Sequence, residues 1–178
     1  DVTVQLDAAG NGSTSAAAVD NSSNDACGIA SLSLDITDFT CANVGSNPVV
    51  LTVTDIHGNT STCSATVTVE DKVDPTAICQ DVTVQLDAAG DGSTSPAAVN
   101  DGSFDNCGVA SLSLDISAFT CAEVGSNPVV LTVTDINGNS STCQANVIVQ
   151  DKVAPTAICQ DATVQLDASG NGSTTPAA

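Results

Sequence analysis

The chain has 178 residues, 21 acidic against 2 basic, a formal net charge of −19, one histidine, eight cysteines, three phenylalanines and no Trp, Tyr or Met. That charge excludes the basic stripe with which a nucleic-acid binder displaces counterions from phosphates, and no run of about 18 apolar residues is available to span a membrane. Cations are the natural partners of such a surface, and the missing initiator Met and apolar leader mark a mature piece or a window of something longer.

Residues 1–80 lie over 81–160 without a gap, with 62 of the 80 positions identical, and 161–178 begins a third copy. A period of 80 is too long for a solenoid coil and suits small β-domains strung in tandem, each burying its own core. The expected organisation is a repeat over 1–72 lacking the start of its first strand, a complete repeat over 73–152, and the first-strand region of a third over 153–178.

Within the complete repeat, the runs VTVQLDA (82–88), VASLSLD (109–115), PVVLTVTD (128–135) and STCQANVIVQD (141–151) alternate apolar and polar residues. They are rich in Val, Thr, Ile and Leu and bounded by Gly, Asn, Asp and Pro, which predicts strands. The last two are joined by INGNS, or IHGNT in the first copy, where Asn-Gly favours a tight hairpin. No segment carries a helical stripe over three turns. Six to seven short strands in about 80 residues predict tandem immunoglobulin-like antiparallel β-sandwich domains. With Phe39 and Phe119 as the large core residues, one per repeat, such small domains need staples.

Four cysteines per period (Cys27, Cys41, Cys63, Cys79; then Cys107, Cys121, Cys143, Cys159) lie at least 14 residues apart in a chain with one histidine. This spacing favours disulfides in an oxidising compartment over zinc. If each domain starts after the proline of the linker, Cys107 and Cys121 can close a local loop, leaving Cys79 in the first strand for Cys143 in the last. The expected pairs are Cys107–Cys121, Cys79–Cys143 and, by repetition, Cys27–Cys41, with Cys63 and Cys159 pairing outside the window. A competing frame joins Cys63 to Cys79.

The opening P-x-x-I-C-Q-D-V-T-V, the D-N-C-G segment and the closing V-T-D-x-x-G-N-x-S-x-C-x-A-x-V-x-V-x-D resemble the hyalin repeat (HYR), carried here by Cys79, Asp81, Asp105, Cys107, Asp135, Gly138, Asn139, Cys143 and Asp151. The chain looks most like the long surface proteins of Bacteroidetes-type bacteria. The resemblance implies an immunoglobulin-like fold in an extracellular adhesion or matrix setting, and no catalysis. The Cys107/Cys121 pair and the scarcity of aromatic residues depart from the pattern.

Carboxylates gather in three places. LDAAGNGST (6–14) and its copies match an EF-hand loop at Asp7, Asn11 and Gly12 but carry Ala9 and Ala18 at the third and twelfth positions, so a turn is the better reading. The loops with Asp20, Asn21 and Asp25, and with Asn100, Asp101 and Asp105, concentrate the oxygen donors a hard cation needs. At the linkers, Glu70, Asp71 and Asp74 in the first and Asp151 in the second form a candidate Ca2+ hinge, while Ala154 replaces Asp74. A plain surface pair with Lys72 or Lys152 is the alternative. Sequons at Asn11, Asn21, Asn59, Asn139 and Asn171 are candidate glycan acceptors. His57 stands where the next copy has Asn137 and reads as a turn residue.

These features predict a non-enzymatic extracellular structural protein, secreted to the cell surface, whose repeats form a stalk or self-associate into fibres, with cell-surface or matrix partners and glycans. A passive spacer presenting a terminal adhesin or enzyme is the strongest alternative. A carbohydrate-binding module lacks the aromatic rings to stack sugars, and an ice- or surface-binding protein would need flat Thr arrays.

Overall fold

A computed structural model describes residues 2–174. The first repeat runs β1 (Val2–Gln5), β2 (Asn11–Ser13), a short helix α1 (Ala16–Val19), β3 (Ile29–Leu34), β4 (Asp38–Thr40), a 3-10 turn at Cys41–Asn43, β5 (Gly45–Asp55) and β6 (Thr60–Glu70). The second repeats it: β7 (Val82–Gln85), β8 (Asp91–Ser93), α2 (Pro96–Val99), β9 (Val109–Leu114), β10 (Ala118–Thr120), a 3-10 turn at Cys121–Glu123, β11 (Gly125–Asp135) and β12 (Ser140–Gln150).

Each repeat is an immunoglobulin-like sandwich of a four-stranded and a two-stranded sheet. The larger sheets have the order β1-β6-β5-β3 and β7-β12-β11-β9, and the smaller ones pair β2 with β4 and β8 with β10. The long hairpins are antiparallel, whereas the first strand joins the last in parallel, as in Val82 opposite Val147 and Val84 opposite Val149. Alternation puts Val129, Leu131 and Val133 of β11 inside, and Phe119 of the small sheet fills the space against them. Val49, Val67, Val69 and Phe39 do the same in the first repeat. Two cores thus form, one per period.

The sequence reading missed the three-residue strands and the one-turn helices. Ser15 and Ser95 cap those helices by accepting from the backbone N–H of Ala18 and Ala98, as serine does at an N-cap. The third copy behaves differently. Residues 151–174 form no strand although they repeat the sequence of earlier strands, because the first strand of a repeat is held by a partner some 65 residues further on, as Val2 is by Val67. Only its local turn survives, with the Asp167 carboxylate accepting from the backbone N–H of Ser169 and Asn171, both at 2.9 Å. Residues 175–178 of the expected third repeat lie outside the described part.

Candidate functional site at the repeat junction

The two repeats are welded. Cys41, on the 3-10 turn after β4, forms a disulfide with Cys107, in the loop before β9 of the next repeat, with Cα atoms 5.3 Å apart. This corrects the expected local pairs Cys27–Cys41 and Cys107–Cys121. The physical reason is strand length: β9 (Val109–Leu114) and then β10 (Ala118–Thr120) lie between Cys107 and Cys121, and the six extended residues of β9 alone span about 20 Å. The two cysteines therefore sit towards opposite ends of one sandwich, and each end faces a different neighbour. Cys79 in the linker is bonded to Cys143 on β12, which removes the alternative Cys63–Cys79 pair. Cys27, Cys63, Cys121 and Cys159 are exposed thiols.

The seat for Cys41 is made by a glycine. Gly10 has φ +77°, and a Cβ added there would lie 2.8 Å from Cys41 Sγ, so any side chain would be strained and would strike the sulfur. Around the disulfide the second repeat grips the first through its loops. Asn106 Nδ2 donates to the carbonyl of Asp7 at 3.0 Å, and Cys107 packs against the first repeat's core. Thr76 and Phe104 exchange backbone hydrogen bonds of 2.8 and 3.1 Å, which ties the linker to the loop that carries the cysteine. Ser141 Oγ donates to the carbonyl of Pro75.

The β11–β12 turn completes the joint. Asp135 is 2% exposed, and its Oδ1 accepts from the backbone N–H of Asn137 and Asn139 at 2.8 and 2.9 Å. The turn so shaped points two amides at the end of the first repeat: Asn137 Nδ2 donates to Asp71 Oδ2 at 2.7 Å and Asn139 Nδ2 to the carbonyl of Asp71 at 3.2 Å. Asp71 is 6% exposed. Its carboxylate lies within 4.8 Å of that of Asp105. Asp105 Oδ1 accepts from the backbone N–H of Cys107 and Gly108, while its buried Oδ2 has no hydrogen-bond partner among the described residues. Two facing carboxylates with an unpartnered buried oxygen are a mutual repulsion that a hard cation would relieve. The sulfur of Cys107, also close by, is committed to its disulfide and is no ligand.

The remaining candidates are dispersed. Asp20 shapes its own loop, accepting from the hydroxyl and backbone N–H of Ser23, and the Ser23 hydroxyl is the main cause that holds its carboxyl below the usual range. Asp25 Oδ1 accepts from Cys27 and Gly28 N–H; Asn21, Asp74, Asp101 and Asp151 are exposed. Glu70 accepts from Gln5 Nε2 at 2.6 Å and pairs with Lys72 at 3.6 Å, and these two partners, Gln5 first, lower its pKa. The Asp7 turn closes on itself, Oδ1 accepting from Ala9 and Asn11 N–H. His57 donates its backbone N–H to Asp55 Oδ1, in a turn where the Asn59 side chain is the main cause lowering the Asp55 pKa. Among the sequons, Asn139 has its amide nitrogen committed to Asp71 and Asp135, the atom a glycan would have to take.

Sequence reasoning missed Asn106, Asn137, Ser141 and Gly10 as junction residues. Gly10 and Asn137 lie in turns that the sequence marks, LDAAGNGST and INGNS, but nothing in those turns distinguishes one that meets a neighbour from one that faces water; Ser141 lies in a predicted strand.

No family model matches the chain, and no curated protein matches it. Solved structures similar to it include mouse clustered PcdhgC3 EC1-3 (14% identity, TM-score 0.35, covering 64% of this chain and 48% of that one). Others are the Clostridium thermocellum CbhA fibronectin(III)-like modules (10%, 0.31, 90% and 96%) and human mucin-like protocadherin EC1-2 (10%, 0.36, 84% and 95%). The chain thus spans about half the length of the mouse protocadherin fragment.

Proposed function

We infer that the chain is a non-enzymatic extracellular structural protein, a stalk or fibre segment whose repeats carry mechanical load. The observation behind this reading is the Cys41–Cys107 disulfide, which crosses from one sandwich to the next. A bond inside a domain stabilises that domain, whereas one between domains removes the hinge. Disulfides of this kind persist in oxidising, extracellular settings. A divalent cation such as Ca2+ between Asp71 and Asp105 would stiffen the same joint by replacing carboxylate repulsion with a bridge. The hyalin-repeat resemblance fits this role.

Pulling a single molecule from its ends tests the load path. In an oxidised chain carrying Cys79→Ser and Cys143→Ser, so that the overlapping second disulfide cannot contribute, force passes through Cys41–Cys107, which shields the 66-residue separation between them; at about 3.3–3.6 Å per extended residue, reduction should release roughly 220 Å more contour. Equal contour with and without reductant would remove the weld from the load path and leave a string of independent spacers.

A further inference from the structure

Three consecutive residues of the second repeat meet the first, and they do not all act in the same direction. Cys107 is bonded to Cys41, and the Asn106 amide donates to the Asp7 carbonyl at 3.0 Å. Both draw the loop inward. Asp105 works against them, because its carboxylate is brought within 4.8 Å of that of the buried Asp71, and like charges repel more strongly where water is excluded.

The disulfide and the carboxylate pair are joined through one side chain. Asp105 Oδ1 accepts from the backbone N–H of Cys107 at 2.8 Å and of Gly108 at 3.0 Å, so it sets the backbone on which the sulfur sits. Its Oδ2, buried and without a hydrogen-bond partner among the described residues, is the oxygen left to take another ligand. Asp71, by contrast, is fixed from its own side: Oδ1 accepts from the backbone N–H of Val73 at 3.1 Å, Oδ2 from the Asn137 amide at 2.7 Å, and the carbonyl from the Asn139 amide at 3.2 Å. Any parting of the two carboxylates therefore falls to the 105–107 loop. Cys41 and Cys107 are each half-buried, so a small thiol reaches the bond that holds this loop down.

We propose that cation binding at Asp71 and Asp105 is coupled to the redox state of Cys41–Cys107: bound Ca2+ protects the disulfide from reduction, and reduction releases the ion. This rests on the cation reading above and adds its regulation. While the disulfide is intact the two carboxylates are held together as a site; once it is reduced the loop can carry Asp105 away from Asp71, which relieves the repulsion and dismantles the site. The sign follows from that geometry. Without the ion, repulsion favours the opened joint; with it, the bridged carboxylates keep the two thiols adjacent and raise their effective concentration for reclosure. The two equilibria share one coupling free energy, so the factor by which Ca2+ opposes reduction equals the factor by which reduction weakens Ca2+ binding. In the redox step two molecules of a small thiol such as glutathione give two protons and two electrons to the S–S bond, leaving two cysteine thiols and one small-molecule disulfide.

The test uses the full chain carrying Cys27→Ser, Cys63→Ser, Cys121→Ser and Cys159→Ser, which removes the exposed thiols and keeps both disulfides. It is equilibrated in glutathione redox buffers with Ca2+ or with EDTA, and each disulfide is read by differential alkylation and peptide mapping. Ca2+ should shift Cys41–Cys107 towards the oxidised form by roughly tenfold in its equilibrium constant, about 30 mV. Cys79–Cys143, whose cysteines lie outside the carboxylate cluster, should move less than about twofold, far short of a typical coupling. Calorimetric titration of a chain also carrying Cys41→Ser and Cys107→Ser, in which only this bond is open, should find Ca2+ binding weaker by the same factor. Asp105→Asn, which keeps an oxygen for the Cys107 and Gly108 N–H groups and removes the charge, should erase the Ca2+ shift, as should Asp71→Asn. Equal Ca2+ affinity with the bond open and closed, or an equal shift of both disulfides, would overturn the coupling and leave the cation site standing. No Ca2+ binding to the oxidised chain would overturn both.

Discussion

Asp71 and Asp151 stand at the same place in their repeats, followed by the same Lys-Val, yet one is buried between sandwiches and the other lies in water. What a carboxylate does here is decided by whether a neighbouring repeat covers it. The covered pair Asp71 and Asp105 should respond to a divalent ion. Adding Ca2+ to the oxidised chain should raise its Tm by several degrees, since about 1 kcal/mol moves Tm by roughly 2–4 °C in chains of this size. Asp105→Asn should abolish the increment and leave the Tm in EDTA unchanged or higher, because it removes one of two repelling charges. A Tm that is the same in Ca2+ and EDTA would take the ion out of the account. The acidic clusters were visible in the sequence, but their grouping was not. Asp20, Asp25 and Asp101 looked equally suitable, and only the packing of one repeat on the next singles out Asp105.

Strands differ in how much of themselves they show in sequence. The eleven-residue β11 and β12 offer several periods of alternation, so both were legible from Val, Leu and Thr spacing. The three-residue β8 and β10 offer barely one, and they form because Phe119 anchors the small sheet over the large one. That dependence is measurable. Phe119 is 1% exposed and Phe104 58%, so Phe119→Ala should cost about 3–5 kcal/mol as a large core truncation and Phe104→Ala within roughly 0.5 kcal/mol as a surface change. Urea unfolding of the two variants checks this, and equal losses would contradict the core assignment. The third copy supplies the converse lesson: DATVQLDA has the strand pattern of DVTVQLDA and forms no strand among the described residues, since pattern without a partner strand gives no ladder.

At the scale of the whole molecule, the repeats resemble links more than beads. The frame in which each domain closed its own disulfides followed from the 14-residue spacing of Cys27 and Cys41, which looks local along the chain. It failed because β3 and β9 carry those cysteines to opposite ends of their sandwiches, where the nearest sulfur belongs to the adjacent repeat. The 80-residue period was legible at once; that the covalent bonds step across it was not, because sequence identity between repeats does not reveal which faces meet. The most direct measurement is a non-reducing peptide mass map of the oxidised chain. The weld predicts a linked peptide pair containing Cys41 and Cys107, lost on reduction. Peptides joining Cys27 to Cys41 and Cys107 to Cys121 in its place would return the protein to independent domains on a string and contradict the account.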